Sequence, residues 1–598
     1  MSETMSGSIA VLKVLQEEGV DRIFGYPGGQ IIPFFDALYD FPIELILPRH
    51  EQGAAHMADG YSRSSGKVGV CVATSGPGAT NLVTGIATAH MDSIPMVAIT
   101  GQVPRTAIGR DSFQEADITG ITMPVTKHNY LVKDEADLVN IMREAFYIAR
   151  TGRPGPVLVD IPSDVQRLPA PWFDRNIEAL DAYEAPSVAD ANMIDRAADL
   201  INSAECPLIY IGGGVIASGA SDLVTQLSDT CNIAVVHTLN GKSGFPESRD
   251  LSMGMPGMHG VGYANWALHN CDLMIVVGAR FDDRVTGDTK RFSPGAKVIH
   301  IDVDAAEIDK IRTADVPINC DARTALLALV PLCKPRQRTA WEEACIQKKQ
   351  EMALSYSWQQ DGMPPQFVIE KAWEVTGGDA ICCTEVGQHQ MWAAQFYKCD
   401  KPRHWLSSGG LGTMGYGFPA AIGAQFANPG KTVIDIAGDG SIQMNIQEMA
   451  TARHHKLPIK IIILNNCYLG MVRQWQDLFY DKRYSGVTLC NLPDFVKLAE
   501  AYDSVGFETG NPDEVQGILE KAMEINDRPV IMNFHTAREE NVFPMIPAGK
   551  SVEEMMLSQA AAEGGEEAAT RDWKQVGSCG AKPAGSCPRA TCDRGKCK

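Results

Sequence analysis

Positive charge is scarce in this sequence. Over 598 residues, 53 Lys and Arg stand against 73 Asp and Glu, for a formal charge of −20. A surface of that balance is not built to hold nucleic acid or an anionic membrane, although a few local donors suffice for a phosphate ligand. No secretory leader is expected either. MSETMSGSIAVLKVLQEEG has neither a basic flank nor a long apolar core, and it is not an Arg-rich transit sequence. No uninterrupted apolar run is long enough for a bilayer. The least charged stretch, 68–89, is broken by Ser75-Gly76-Pro77-Gly78 and reads as strand, turn and helix. Twelve of the 16 cysteines are scattered with no framework spacing, as in a reducing compartment. These absences predict a cytoplasmic protein with no nucleic-acid or membrane partner.

What is present is an ordinary globular composition, 45% hydrophobic and 21% charged, in a chain too long for one core. Short apolar runs alternate with helical patterns throughout, which predicts an α/β fold of three doubly wound parallel-sheet domains. They are expected at 1–170, 186–335 and 366–548. A Pro-, Asp- and Ala-rich linker is expected over 168–186 and a polar one over 336–365. Predicted strands lie at 44–47, 68–73 and 96–100, at 208–211, 273–277 and 298–303, and at 380–384, 432–437 and 459–464. From Glu553 to Lys598 the composition is that of a disordered tail. Its four cysteines, Cys579, Cys587, Cys592 and Cys597, form no Cys-x₂-Cys pair and have no His nearby to hold a metal.

The sharpest chemical signal lies in the third unit. An apolar strand runs into Gly438-Asp439-Gly440-Ser441, with a helix expected to begin near Asn445, and a second apolar strand ends in Asn465-Asn466. Adjacent parallel strands would bring Asp439 and Asn466 to neighbouring carboxyl ends, where open α/β sheets bind ligands. Glycines there let backbone amides approach a phosphate, and a helix N-terminus favours its charge. One carboxylate, one amide oxygen and a carbonyl from the following turn, that of Tyr468, suit Mg²⁺ beside a diphosphate. Gly-Asp-Gly alone is a common tight turn. With Asn-Asn at this spacing it is similar to the signature of thiamin-diphosphate enzymes, whose cofactor is an electron sink. Such a cofactor needs a carboxylate at its aminopyrimidine. The candidate is Glu51 in Arg49-His50-Glu51-Gln52-Gly53, at a predicted strand-to-helix junction where a glutamate is otherwise an ordinary helix-end charge.

Further motifs follow in order: Tyr26-Pro27-Gly28-Gly29, Ser75-Gly76-Pro77-Gly78, Phe113-Gln114-Glu115 and Gly152-Arg153-Pro154-Gly155. After them come Gly257-Met258-His259-Gly260, Gly278-Ala279-Arg280-Phe281-Asp282 and Gly387-Gln388-His389-Gln390. Over roughly residues 5–550 the set resembles the catalytic subunits of the acetohydroxyacid synthase (acetolactate synthase) family. The resemblance implies a pyrimidine-binding, a central FAD-binding and a diphosphate-binding domain. It implies a homodimer or tetramer whose active sites lie between subunits, with a possible small regulatory subunit. The implied reaction decarboxylates pyruvate on thiamin diphosphate and condenses the hydroxyethyl carbanion with pyruvate or 2-ketobutyrate. The products are 2-acetolactate and 2-aceto-2-hydroxybutyrate, which feed branched-chain amino-acid synthesis.

By residue, the resemblance implies Glu51 at the pyrimidine and Asp439, Asn466 and Tyr468 on the metal. Val386, Gly387, Gln388, His389, Gly440, Ser441, Gly470 and Met471 would surround thiamin diphosphate, with Met414 as an apolar wedge beneath it. FAD would meet Arg153, Gly212, Gly213, Gly214, Thr238, Leu239, Met258, His259, Gly278, Arg280, Asp282, Asp302 and Asp321. Gly29, Phe113, Gln114, Arg284 and Trp475 would meet substrate. One departure is Ser163, where the family often has Lys, which implies a lost positive charge near the flavin. A sister enzyme such as pyruvate oxidase shares the architecture and differs in passing electrons to the flavin. An NAD-linked oxidoreductase would leave Glu51 and the Asp439–Asn466 spacing unexplained.

Overall fold

The computed structural model describes residues 4–173, 177, 179–180, 183, 185–358 and 362–559. Three parallel sheets organise them. In the first, the strands Arg22–Gly25, Glu44–Ile46, Gly69–Ala73, Met96–Gln102, His128–Leu131 and Pro156–Pro162 follow in sequence. Numbered within the sheet, they lie side by side in the order 2-1-3-4-6-5. The third sheet, built from Ile381–Thr384, Trp405–Leu406, Val433–Gly438, Lys460–Asn465, Val505–Thr509 and Val530–His535, has the same order. The central sheet has five strands in the order 2-1-3-4-5, from Pro207–Ile211, Ala234–His237, Leu273–Val277, Lys297–Asp302 and Val316–Asn319. The inner strands are buried on both faces, which is why they read in sequence as unbroken apolar runs.

The first and third domains share one core. It runs from Ile46, Met57 and Ala58 to Phe418, Ile422 and Ile461 without a polar break. At its centre the helix Glu51–Ser65 lies on the helix Gly417–Ala427. These helices are the ones that follow the second strand of their respective sheets. They approach backbone to backbone at two reciprocal glycines: a Cβ at Gly60 would run into the carbonyl oxygen of Ala420, and one at Gly423 into that of Met57. The helix Glu51–Ser65 starts with the His50 ring accepting the Gln52 N–H at 3.0 Å and stops at Gly66, which is left-handed at φ 80°.

Three expectations need correcting. The start of the predicted linker is the strand Pro169–Pro171, paired antiparallel with Thr4–Ser6. The polar segment after 335 contains the helix Ala340–Glu351. Its Trp341 stacks on Trp266 at 5.3 Å and Cys345 is buried beside it, so a polar composition hid a piece of the central domain. The tail begins later than Glu553: Met545 and Met556 pair through their backbones, Met555 is buried, and Glu554 meets Arg291 and Lys550. The remainder of the expected tail, from 560, lies outside the described residues. Among those residues no helix is long and apolar enough to cross a membrane.

Candidate active site

Parallel pairing sets Gly438 opposite Leu464, so the loops carrying Asp439 and Asn466 leave the sheet side by side. The Asp439 carboxyl is buried and its Oδ2 has no protein partner. Burial pushes it up to about 7, against the pull of the backbone N–H groups of Asn466 and Cys467. Asn466 Oδ1 accepts the Tyr468 N–H at 3.1 Å, and its Nδ2 donates to Gln388 Oε1 at 3.3 Å. The helix expected near Asn445 begins there as the 3₁₀ turn Ile446–Glu448 and runs on into the α-helix Met449–His454, after a first 3₁₀ turn, Ile442–Met444. Neither Asn445 nor Ile446 lines the cleft. The helix N-termini at the cleft are instead those of Gln388–Phe396, after Gly387, and of Gly470–Phe479.

These parts form a cradle for an anion and a hard cation. A Cβ at Gly470 would fall 2.1 Å from Gln388 Oε1, so the helix start packs closely on the Gln388 side chain. The His389 ring is buried with Nε2 unpartnered, and burial lowers it to about 3, against the pull of a hydrogen bond to the Glu385 backbone. Ser441 Oγ donates to Glu385 at 2.6 Å and accepts the N–H of Gly415 at 3.2 Å. A buried carboxyl short of a counter-charge, an amide oxygen beside it and two helix starts fit Mg²⁺ and a diphosphate.

The same cleft, of about 1010 Å³, extends into the central domain. Val386, Met414, Gly440, Tyr468, Met471 and Trp475 line the end that holds Asp439. Gly212, Gly213 and Gly214 follow the strand Pro207–Ile211, with the Gly214 N–H bonded to Gly278 O at 3.0 Å. Thr238 and Leu239 lie across from them, and Met258, His259, Arg280 and Arg284 close the wall. His259 is lowered to about 4 by burial and by Arg284, and its Nδ1 is unpartnered. Asp302 is raised to about 6 by burial. Asp282 and Asp321 also line the cleft, and each caps a short helix, accepting the N–H of Arg284 and of Thr324. Arg153 reaches over from the first domain to Asp304 and Glu307, at 3.0 and 2.9 Å. A long glycine-floored groove ending in carboxyls fits a dinucleotide such as FAD.

Glu51, Gly29, Phe113 and Gln114 are not in the cleft wall of this chain. They gather around another loop, that of residues 74–78. Glu51 Oε2 accepts from Asn81 Nδ2 at 2.9 Å, and its Oε1 would lie 3.4 Å from a Cβ at Gly78. Gln114 backs directly onto Gly76, and the Gln30 N–H beside Gly29 bonds Thr74 Oγ1 at 3.2 Å. Phe113 is 86% exposed, a large apolar side chain with little cover among the described residues. Ser163 is buried, its N–H on Gln102 O, and does not line the cleft either. Within one chain the candidate residues thus fall into two separate groups.

Sequence reasoning missed Glu448. Its carboxylate accepts the N–H of Arg49 at 2.9 Å and of His50 at 3.0 Å, pinning from the third domain the turn that presents Glu51. Burial raises it to about 7. Nothing near Glu448 in sequence announces partners that far away.

The comparisons fit this geometry. Three family models match in chain order. They are the N-terminal thiamine pyrophosphate binding domain over 5–121, the thiamine pyrophosphate enzyme central domain over 194–329 and the C-terminal thiamine pyrophosphate binding domain over 385–534. The fold and site therefore define a thiamine pyrophosphate enzyme. The chain is 49% identical over 560 residues to the acetolactate synthase large subunit of Corynebacterium glutamicum, covering 92% of this chain and 90% of that one. It is 44% identical over 571 residues to the acetolactate synthase isozyme 3 large subunit of Escherichia coli, covering 93% and 99%. The match to the large subunit of Porphyra purpurea is 47% over 564 residues, covering 92% and 95%. The chain belongs to the acetolactate synthase large-subunit family.

Proposed function

We propose that this protein makes 2-acetolactate from two pyruvates and 2-aceto-2-hydroxybutyrate from pyruvate and 2-ketobutyrate, with thiamin diphosphate, Mg²⁺ and FAD bound. The observation that carries the reading is the buried, uncompensated Asp439 carboxyl beside Asn466 at paired strand ends. Asp439, Asn466 and the Tyr468 carbonyl hold the metal, while Gln388, His389, Ser441 and Gly470 hold the diphosphate. Thiamin diphosphate, when bound, supplies the electron sink that a 2-keto acid needs to lose CO₂. Glu51 holds the proton exchanged at the pyrimidine. Because Glu51 stands outside its own chain's cleft, a second copy completes each site, and the exposed Phe113 and its half-buried neighbour Gln114 arrive with it.

The central groove takes FAD as a structural ligand rather than an electron acceptor. Trp475 and Arg284 line the cleft where an acceptor keto acid would lie, Arg284 pairing with its carboxylate and the indole touching the extra methyl of 2-ketobutyrate. The test is a pyruvate assay with and without 2-ketobutyrate, after cofactor removal and separate add-back of each cofactor. Both products are expected only when thiamin diphosphate and Mg²⁺ return, with the flavin spectrum unchanged during turnover. Flavin bleaching in step with pyruvate loss would assign an oxidase instead.

A further inference from the structure

Asp92 closes the helix Val83–Asp92 of the first domain and points its carboxylate into the place where all three domains meet. That carboxylate is fully buried. Its Oδ2 accepts from Arg63 Nη2 at 2.8 Å and from the Gly409 N–H at 3.1 Å. Its Oδ1 accepts from Asn240 Nδ2 and from the Gly410 N–H, both at 2.7 Å. Arg63 belongs to the first domain, Asn240 to the central one, and Gly409 and Gly410 to the third. Arg63 also donates to Ser407 O at 3.0 Å, and Thr88 bonds Thr413 at 2.7 Å through their hydroxyls, so the segment 407–413 is held at several points.

The two outer arms of Asp92 end in different pockets. Asn240 sits in the turn Leu239–Gly241, next to Thr238 and packed on the glycine floor of the central groove, where a Cβ at Gly213 would touch its own Cβ at 3.5 Å. Gly409 and Gly410 begin the segment that leads to Met414 at the thiamin end of the cleft. A Cβ at Gly409 would fall 2.5 Å from Asn240 Oδ1, so the two arms pack directly on each other.

We propose that Asp92 is a positioning residue that couples the two cofactor pockets: a flavin seated on the central groove fixes Asn240, and through Asp92 this sets the 409–414 segment for thiamin diphosphate. The inference rests on the reading that both cofactors occupy this cleft. It gives a flavin without a redox step something to do. Coupling of this kind is reciprocal, so each cofactor must tighten the other by the same factor.

The experiment titrates cofactor-free protein with thiamin diphosphate in Mg²⁺, following intrinsic tryptophan fluorescence, without FAD and at saturating FAD. The reverse titration measures FAD binding without and with thiamin diphosphate. Wild type is expected to show equal factors of roughly 5–150 in both directions. Asn240→Ala removes the central arm and leaves the Asp92–Arg63 pair, so both factors should fall to near one while each cofactor still binds alone. Asp92→Asn is the second variant, with near-ultraviolet circular dichroism reporting whether it folds. A wild-type coupling factor retained in Asn240→Ala overturns the proposal, as does a factor of one in wild type when both cofactors bind. Failure of wild type to bind FAD at all would instead overturn the reading on which the proposal rests.

Discussion

The first and third domains lay six strands in one order, yet they end in different chemistry. After the third strand the first domain turns through residues 74–78 with Ser75, Gly76 and Gly78, whereas the third turns through Gly438-Asp439-Gly440. After the second strand one presents Glu51 at a helix start, and the other the glycine-rich segment 407–415. The frame is common, and the loops at the carboxyl ends decide what is held there. Under the proposed function, one domain supplies the proton carrier and its counterpart the anion and metal cradle, so that each would need the other.

The hardest blow to that division of labour is Asp439→Ala. Removing a hard oxygen ligand is expected to weaken Mg²⁺-dependent thiamin diphosphate binding by more than about 100-fold. FAD binding in the central domain should persist. Calorimetric titration of both cofactors checks it, and equal thiamin diphosphate affinity in variant and wild type would remove the metal from Asp439.

Glu51→Gln attacks the other half and should do the opposite. Cofactor affinity stays within a few-fold while turnover falls by about 10²–10⁴, the usual worth of a positioned acid–base group. Mixing the two inactive proteins sharpens the comparison. A dimer with one chain of each kind has one intact site of two if the halves come from different chains. Regained acetolactate formation supports a shared site, and none at any mixing ratio places both halves in one chain.

The seam between the domains is next. Gly423→Ala puts a methyl against Met57 O, and an overpacked contact of this kind costs about 1–3 kcal/mol. The midpoint of chemical denaturation should drop accordingly, and an unchanged midpoint would mean the helices have slack.

The smallest effect concerns Glu448, raised from an ordinary 4.5 to about 7 by burial. A carboxyl that holds its proton longer when folded adds stability below 4.5, and that contribution is lost as pH rises through about 7. Cofactor-free wild type should therefore lose some thermal stability between pH 5 and 7.5. Glu448→Gln, which stays neutral, should show a shallower decline, and parallel slopes would say that the tie to Arg49 and His50 does not titrate there.

The sequence made most inner strands legible because burial on both faces leaves them uniformly apolar. Pro156–Pro162 and Val530–His535, inner and buried as well, were nevertheless not predicted, and the edge strand Glu44–Ile46 was. Leu273–Val277 falls where the pattern puts it, and most of the others within a residue or two. Edge strands such as Trp405–Leu406 and Val505–Thr509 were not legible, being short or only half-buried. Asp439 and Asn466 could be paired from sequence because two apolar strands each end in a polar loop. Glu448, Asp92 and Asn240 could not, since their work is done on backbone amides and side chains of other domains. Such partners are set by tertiary packing and leave no periodic trace.

The reciprocal glycines between the helices Glu51–Ser65 and Gly417–Ala427 also limit how this chain can vary. In most cores a larger residue on one side can be accommodated by a smaller one opposite. Here the opposing atoms are the carbonyl oxygens of Ala420 and Met57, which belong to the main chain and cannot be trimmed by any substitution. A change at Gly60 or Gly423 therefore has no second-site suppressor across the seam. Variants that part these helices can be rescued only by moving a whole helix, so substitutions at the two positions should be lost from a selection rather than repaired within it.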